Sequence, residues 1–162
     1  LSKVLEKGLK NSKSDITIVI GGTGKSEDDF NFKNFKLLID GLNLKPGRPF
    51  KSFIRNKQIF LFFPGNPCSS FVLTNILVNS LILRYQFSKN LIFDKEIDIK
   101  KIRFNFNSLI RKSFLFGFMK DEQNIKIFNN QESSNISNIL KSNCLIYFNK
   151  SKKLKIYKLN DK

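Results

Sequence analysis

Two proline-bracketed turns, separated by a short apolar strand, constrain this chain more than any other feature. The first is Lys45-Pro46-Gly47-Arg48-Pro49, the Lys-Pro-Gly turn, and the second is Pro64-Gly65-Asn66-Pro67-Cys68-Ser69, the Pro-Gly-Asn-Pro turn. Proline fixes φ and restricts the residue before it, so side chains in such turns lose little further freedom when they bind a ligand. The second turn opens into an apolar run from Phe71 to Phe87, and the free N–H groups where that helix begins favour a negative ligand. The two turns together predict an anion site.

The composition indicates a packed protein with a strongly basic surface. The chain has 162 residues, 41% hydrophobic residues, 18 phenylalanines and a formal net charge of +16. Such a charge favours nucleic acid, an anionic membrane surface or a phosphorylated ligand. Because the lysines are spread along the chain and accompany abundant Asn, Ile and Phe, we attribute them to a coding bias and discount the first two partners. The charge still suits an anionic substrate.

The cysteines and the lack of histidine limit the chemistry. Cys68 and Cys144 lie in apolar contexts without metal-ligand spacing, so we expect two buried thiols in a reducing cytosol, with a disulfide as the minor alternative. Without histidine, no Ser-His-Asp, Cys-His or zinc arrangement can form. Polar residues interrupt the run from Phe71 to Phe87, which favours a core-facing helix over a membrane span. We therefore expect a cytoplasmic protein without membrane contact.

Hydrophobic periodicity in the first half of the chain predicts part of an α/β domain. Helical spacing from Leu1 to Leu9 predicts an amphipathic helix. The β-branched run Ile16 to Ile20 predicts a buried strand of a parallel sheet that ends in a glycine loop. Ile59 to Phe63 predicts a second strand, which runs into Pro64-Gly65. Since ligands of α/β sheets bind outside the carboxyl ends of the strands, we expect the two loops to converge on one cleft.

The second half predicts a small all-β domain. From Lys95 onward the chain shows short segments of alternating apolar residues, which are typical of strands. These segments are Ile97 to Phe106, Phe114 to Phe118, Ile125 to Phe128, Cys144 to Phe148 and Leu154 to Tyr157. We place the linker at Ser88-Lys89-Asn90, so that residues 1–88 form the α/β domain and residues 91–162 the β-domain.

Four motifs in a fixed order resemble the molybdopterin molybdotransferases, the family of MoeA and the gephyrin E domain. They are a strand and Gly-Gly loop from Asp15 to Phe30, the Lys-Pro-Gly turn, the Pro-Gly-Asn-Pro turn and a serine-rich segment that begins at Gln131-Glu132-Ser133-Ser134. The resemblance covers nearly the whole chain. It implies a partial molybdopterin-binding-like parallel sheet domain and a small β-domain of the family's C-terminal type. It also implies that the chain is the C-terminal part of a longer enzyme.

The resemblance implies a reaction as well as a fold. The family inserts molybdenum from molybdate into adenylylated molybdopterin with Mg²⁺ and releases AMP. Its members are cytoplasmic homodimers whose active site lies between subunits. Because part of that site belongs to the family's N-terminal region, we expect this chain alone to have little or no activity.

Lys45 and Arg48 are the first candidate catalytic residues. An arginine offers a planar fork that holds an oxyanion with two hydrogen bonds, and a lysine offers a compact point charge. The resemblance places both residues on molybdate or on the phosphates of the substrate. Cations in an exposed turn are ordinarily only solvated, but the rigid Pro-Gly-x-Pro frame and the resemblance favour the functional interpretation.

Asp29 is the third candidate catalytic residue and the candidate metal ligand. The resemblance places it at the end of the Gly-Gly loop, where a carboxylate can hold Mg²⁺ against phosphate oxygens. The alternative is an acid at a helix N-terminus, because Asp28 and Asp29 precede the apolar positions Phe32, Phe35 and Leu38 at helical spacing. Glu27 and Asp28 remain alternative metal ligands.

The other candidates would contact the substrate through backbone groups and hydroxyls. They are Gly21, Gly22, Gly24, Ser26, Pro64, Gly65, Asn66, Pro67, Ser69, Ser133 and Ser134. The glycines let the backbone approach a ligand, although Gly-Gly-x-Gly equally describes a tight strand-to-helix turn. Structural alternatives are a turn former at Asn66, a helix cap at Ser69, and caps of a short helix at Gln131, Ser133, Ser134 and Ser137. The loop departs from the family, which has Ser then Gly where this chain has Gly24 and Ser26.

Two rival classes of function stay open. One is a non-catalytic module, either a molybdopterin carrier or a basic nucleic-acid binder. A nucleic-acid binder would show a steep salt dependence and little loss on changing Lys45 and Arg48, because its phosphate contacts are distributed over many cations. The other is a domain of the competence-damage type that acts on nucleotides, against which the Lys-Pro-Gly turn and the serine-rich segment argue.

Overall fold

Two β-sheets hold the strands of this computed structural model, which describes residues 7–9, 11–21, 35–89, 93–121 and 123–159. In chain order the strands are β1 (Ile16–Ile20), β2 (Lys36–Asp40), β3 (Leu44–Lys45), β4 (Lys51–Arg55), β5 (Gln58–Phe63), β6 (Lys95–Asp98), β7 (Lys112–Met119), β8 (Ile125–Ile127), β9 (Cys144–Phe148) and β10 (Lys153–Lys158). A long helix, α1 (Pro67–Phe87), and a short one, α2 (Ile136–Lys141), accompany them. Residues 7–9 are helical, within the predicted first helix.

The first sheet has the strand order β1-β5-β4-β2. β1 pairs with β5 in parallel, with Ile20 opposite Phe63, so the predicted parallel pair is confirmed. β4 and β2 add antiparallel pairs, which make the sheet mixed. The hairpin between β4 and β5 turns at Asn56 and Lys57, whose φ angles of 50° and 68° are those of the favoured two-residue hairpin turn.

Two expectations for this sheet are wrong. β1 is not a buried strand, because it lies at the sheet edge and its Ile18 and Ile20 side chains are 39% and 64% exposed. The helical pattern through Phe35 and Leu38 is also wrong, since residues 36–40 form the edge strand β2. The adjacent apolar residues of β2 satisfy helical and strand periods alike, and pairing with β4 decides between them.

The second sheet has the strand order β3-β7-β9-β10-β6, and β8 pairs with β7 beside β3. Four predicted segments form β7, β8, β9 and β10, which confirms them. The alternation from Ile97 to Phe106 is only partly a strand, because β6 ends at Asp98 and the chain then makes two 3₁₀ turns. The Asp98 carboxylate accepts a hydrogen bond from Lys100 N at 2.8 Å, and this local bond competes with strand pairing.

Helix α1 packs against both sheets. Its Cys68 and Val72 join a cluster with Phe114, Phe116 and Leu145 of the second sheet. Its Leu73 and Val78 join a cluster with Phe50, Leu61 and Phe63 beside the first sheet. By length and composition alone α1 could also cross a membrane, but such a helix is weak evidence for a span; the predicted core-facing packing holds for its first part, whereas Asn79–Phe87 has no buried residue. The helix ends at Phe87, and its C-cap Ser88 is left-handed with φ 52°. The division of the chain into two domains at this point stays a prediction.

Two side-chain amides complete the backbone hydrogen bonding of β7. The Gln131 carboxamide accepts from Phe116 N at 2.8 Å and donates to Phe116 O at 2.9 Å. The Asn143 carboxamide makes the same pair of bonds with Met119 N and Met119 O, both at 2.8 Å. Phe116 O also accepts from Phe128 N at 3.1 Å, so the Gln131 amide matters chiefly as the partner of Phe116 N, while the Asn143 amide serves both backbone groups of Met119.

Gly117 is the position of β7 where a side chain cannot fit. A Cβ there would lie 2.4 Å from Ile146 Cδ1 and 2.7 Å from the backbone oxygen of Lys126. We expect Gly117→Ala to lower the free energy of unfolding by about 1–3 kcal/mol, because the backbone contact cannot give way cheaply. Chemical denaturation measures this. Gly8→Ala is the control: a Cβ at Gly8 has nothing within 4 Å, so its stability should be unchanged or slightly raised, and equal losses in the two variants would contradict the interpretation.

Burial of the cysteine thiols makes the free energy of unfolding depend on pH in the alkaline range. Both are free and buried, as expected, and burial raises the pKa of the Cys144 thiol to about 12 from the ordinary value of 9.0. The unfolded chain therefore releases this proton first, and deprotonation above pH 9 favours unfolding.

We expect the stability of the wild type relative to Cys144→Ala to be constant below pH 8 and to fall as the pH rises from 9 toward 12. The slope should approach about 1.4 kcal/mol per pH unit. Denaturation midpoints of both proteins between pH 7 and 10.5 test this, because lysine and tyrosine titrations cancel in the difference. A difference that stays constant over this range would refute it.

Candidate functional site

The Lys-Pro-Gly turn connects the two sheets. Lys45 ends β3, where it lies opposite Ser113 of β7 in the second sheet. Two residues later Gly47 lies against α1, since a Cβ there would be 3.3 Å from Leu73 Cδ2. Phe50 then enters the core beside the first sheet, and its N–H donates to Gly47 O at 3.1 Å. The turn is therefore anchored to β7, to α1 and to the core beside the first sheet, and these contacts fix the backbone at Lys45.

Two pockets open beside Lys45. One is narrow, with an open volume of about 10 Å³, and is lined by Lys45, Pro46, Leu109, Ser113, Phe114, Leu115, Phe116, Gln131 and Ser133. The other is wider, with an open volume of about 280 Å³, and is lined by Lys45, Ser108, Leu109, Ile110, Arg111 and Ser113. Lys45 and Ser133 are far apart in the sequence, and the first pocket brings them together.

Arg111 is a cation of this site that sequence reasoning missed. It lies in the second pocket with Lys45, just before β7 begins. Its only signal in the sequence is its position ahead of an apolar strand, which many surface arginines share. Among the described residues, neither Lys45 nor Arg111 has an ion-pair partner, so both charges are available to an anion.

Arg48 is placed differently from Lys45. Both residues are exposed, but Arg48 lines neither of the two pockets. Its backbone oxygen accepts a hydrogen bond from Leu42 N at 2.9 Å, which closes the turn. In the part of the chain that the structure describes, no carboxylate pairs with Arg48 either. The turn thus presents one cation to the pockets and one to solvent.

The Pro-Gly-Asn-Pro turn meets the glycine loop at one edge of the first sheet. Gly21, with φ 96°, donates its N–H to Phe63 O at 2.9 Å. A Cβ on Gly65 would lie 3.8 Å from Gly21 Cα. The parallel register of β1 and β5 produces this meeting, because it ends both strands at the same level.

The start of α1 corrects one structural alternative. Asn66, and not Ser69, is the N-cap: its Oδ1 accepts from Ser69 N at 3.1 Å, and Pro67 occupies the first turn of the helix. Ser69 is only 4% exposed, with its hydroxyl 3.4 Å from Asn66 Oδ1. Pro64 is buried, and its oxygen accepts from the Ser70 hydroxyl at 2.8 Å. These polar groups hold the turn, while Gly65 remains exposed at its tip.

The serine-rich segment lies beside β7. Gln131 does not cap a helix, because its carboxamide bonds to Phe116. The N-cap of α2 is Asn135, which makes no side-chain cap bond. Ser133 is half-buried and lines the smaller pocket, whereas Ser134 is exposed and its backbone oxygen accepts from Ile136 N at 3.0 Å.

The predicted acidic loop lies outside the described residues. Gly22, Gly24, Ser26 and Asp29 belong to this loop, as do the alternative ligands Glu27 and Asp28. Within the described ranges, no group of three or more Cys, Asp or Glu residues could hold a metal ion. Binding of Mg²⁺ at Asp29 therefore stays a prediction.

Comparison with known proteins bears on the fold. No protein-family model matches the chain, and no curated protein matches it. A solved molybdopterin biosynthesis MoeA protein from Pyrococcus horikoshii matches 99% of the chain with a TM-score of 0.70 and 12% identity, and a second structure with the same description and source matches 96% with a TM-score of 0.59 and 21% identity. The chain covers 41% and 39% of those two proteins, about two fifths of their length. The predicted fold class is confirmed: the chain has a partial MoeA-like fold, with a mixed α/β portion followed by a small β portion.

Proposed function

We propose that this chain acts in molybdenum cofactor biosynthesis and that the pockets beside Lys45 bind an oxyanion of the substrate. The observation that carries the proposal is the meeting of Lys45 with Arg111 and Ser133 in a MoeA-like fold. Two cations without carboxylate partners among the described residues, together with a hydroxyl, provide the donors that an oxyanion needs. The anion is molybdate or a phosphate of adenylylated molybdopterin.

The proposed reaction is the transfer of molybdenum from molybdate to adenylylated molybdopterin with release of AMP. Lys45 and Arg111 would neutralise the oxyanion and hold it in position, and Arg48 would attract anions from solvent toward the turn. Positioning the anionic oxygens and neutralising their charge would carry much of the work of such a transfer. Mg²⁺ at Asp29, a homodimer and a cytoplasmic location belong to the same proposal.

The other site candidates have supporting roles in this proposal. Gly21 and Gly65 lie together where β1 and β5 end, and glycines at such an edge leave room for a ligand against the backbone. Asn66 and Ser69 would act by holding this turn, because their polar atoms bond to each other. We therefore expect changes at Asn66 or Ser69 to act mainly through the shape of the turn.

The first test is calorimetric titration of the chain with molybdate. We expect saturable binding that Lys45→Ala and Arg111→Ala each weaken by roughly tenfold, because a hydrogen bond to a charged group contributes about 1.5–3 kcal/mol. Arg48→Ala, on the same turn but outside both pockets, should weaken binding less. The same series with adenylylated molybdopterin, with and without Mg²⁺, extends the test to the organic substrate.

Lys152→Ala is the matched control, because it removes the same charge from an exposed position that lines neither pocket. Its affinity for molybdate should equal that of the wild type. If the wild type binds no anion, or if the control loses as much affinity as Lys45→Ala, the proposed site is wrong. Equal losses with a steep salt dependence would instead indicate the distributed phosphate contacts of a nucleic-acid binder.

We also expect this chain alone to turn over adenylylated molybdopterin slowly or not at all. It spans about two fifths of the length of its structural neighbours, and a catalytic site built by the whole length would be incomplete here. AMP release, followed by chromatography, measures turnover. The same assay on a version extended by the remaining domains of a neighbour is the comparison, and full turnover by the isolated chain would refute this expectation.

A further inference from the structure

We propose that Gln131 is a positioning residue for the anion site and acts by setting the place of Ser133 relative to Lys45. This inference rests on the proposed function, since it assigns a further residue to the same site. It does not follow from the serine-rich motif, in which Gln131 is a candidate helix cap. It comes from three hydrogen bonds and from a gap in the sheet.

The gap lies along one edge of β7. On that edge β3 pairs with Lys112 and Ser113, and β8 pairs with residues 117–119. Between these two pairings no described strand covers Phe114 and Leu115, while Phe128 N, just after β8, donates to Phe116 O at 3.1 Å; the narrow pocket beside Lys45 opens at this stretch. The wall of the pocket is thus made by an uncovered stretch of strand, with Lys45 at one end and Gln131 and Ser133 at the other.

Gln131 closes the end of this gap. Its Oε1 accepts from Phe116 N at 2.8 Å, and its Nε2 donates to Phe116 O at 2.9 Å. The same Nε2 donates to Phe128 O at 2.7 Å, which ties the residue after β8 to the same point. Ser133 follows two residues later, so the carboxamide fixes the start of the segment that carries this hydroxyl to the pocket.

The bonding also explains why Gln131 positions the site and does not bind the anion itself. A carboxamide has two N–H donors, and both donors of Gln131 are occupied by backbone carbonyls. An oxyanion needs donors. Only Oε1 has capacity left, and an oxygen acceptor gives an anion nothing to bind. The effect of Gln131 on affinity must therefore pass through its neighbours.

Asn143 provides a matched control for the structural part of this role. Its carboxamide makes the same pair of bonds with Met119, at the end of the same strand, and it lines neither pocket beside Lys45. Gln131→Met and Asn143→Leu remove the two amides with little change in side-chain size. Both should lower stability, because the first leaves Phe116 N without its partner, although Phe128 N still donates to Phe116 O, and the second removes the bonds of Asn143 to Met119 N and Met119 O. Only the first should change anion binding.

The experiment measures molybdate affinity by calorimetry for the wild type, the two amide variants, Ser133→Ala and the double variant Gln131→Met/Ser133→Ala. We expect Gln131→Met to weaken binding about tenfold and Asn143→Leu to leave it unchanged. In the Ser133→Ala background, Gln131→Met should cause little further loss, since the hydroxyl that it positions is already absent. Faster hydrogen exchange at Phe116 N–H in Gln131→Met would show that the hydrogen bond from Phe116 N to residue 131 has been lost.

The outcomes separate this inference from the proposed function. Binding by the wild type with no loss in Gln131→Met, with equal loss in Asn143→Leu, or with independent losses for Gln131 and Ser133 overturns the positioning role and leaves the anion site standing. No binding by the folded wild type overturns both. If Gln131→Met does not fold, Gln131→Asn replaces it, with Asn143→Ser as its control: both shorten a polar side chain and add no charge. A greater loss of affinity in Gln131→Asn than in Asn143→Ser supports positioning, and equal losses reject it.

Discussion

The backbone hydrogen bonding of β7 is the constraint on which the rest of this structure depends. One edge of β7 pairs with β9, from Ser113 opposite Phe148 to Gly117 opposite Cys144. The other edge is shared in turn by β3, by the Gln131 carboxamide and by β8. Buried N–H and C=O groups cost free energy when they lack hydrogen-bond partners. Each of these segments is therefore held at the position where it bonds to β7. The strand thereby connects the Lys-Pro-Gly turn to the serine-rich segment.

Helix α1 provides the second connection. Asn66 starts it at the end of β5, and its two faces then pack against clusters that belong to different sheets. Leu73 also contacts Gly47, so the helix that begins at one proline turn supports the other. Burial of the apolar side chains of α1 stabilises both sheets at once, and this shared packing holds the two turns on one framework. The pockets beside Lys45 follow from that arrangement, because they need β3, β7 and the Lys-Pro-Gly turn in register.

Local hydrophobic patterns correctly predicted the structural elements that depend only on residues close together in the sequence. The apolar segments of β7, β9 and β10 alternate or run continuously over strand length, and each is a strand. Failures occurred where a local pattern suits two structures. The residues of β2 suit a helix or a strand, and the alternation after Ile97 continues past a hydrogen bond from Lys100 N to Asp98 that turns the chain. The edge position of β1, which exposes Ile18 and Ile20, depends on the order of strands and has no local signal.

The sequence by itself determined the two proline turns, the cation Lys45 that begins the first of them, and the strands and helix that follow, because proline, glycine and apolar periodicity act over a few residues. Only the tertiary structure decided that Lys45 lies beside Arg111 and Ser133 while Arg48 faces solvent. It also decided that the Gln131 carboxamide hydrogen-bonds to the backbone of Phe116 in β7 instead of capping a helix. These outcomes depend on which backbone groups lacked partners after the sheets had assembled, and that is a property of contacts between distant segments.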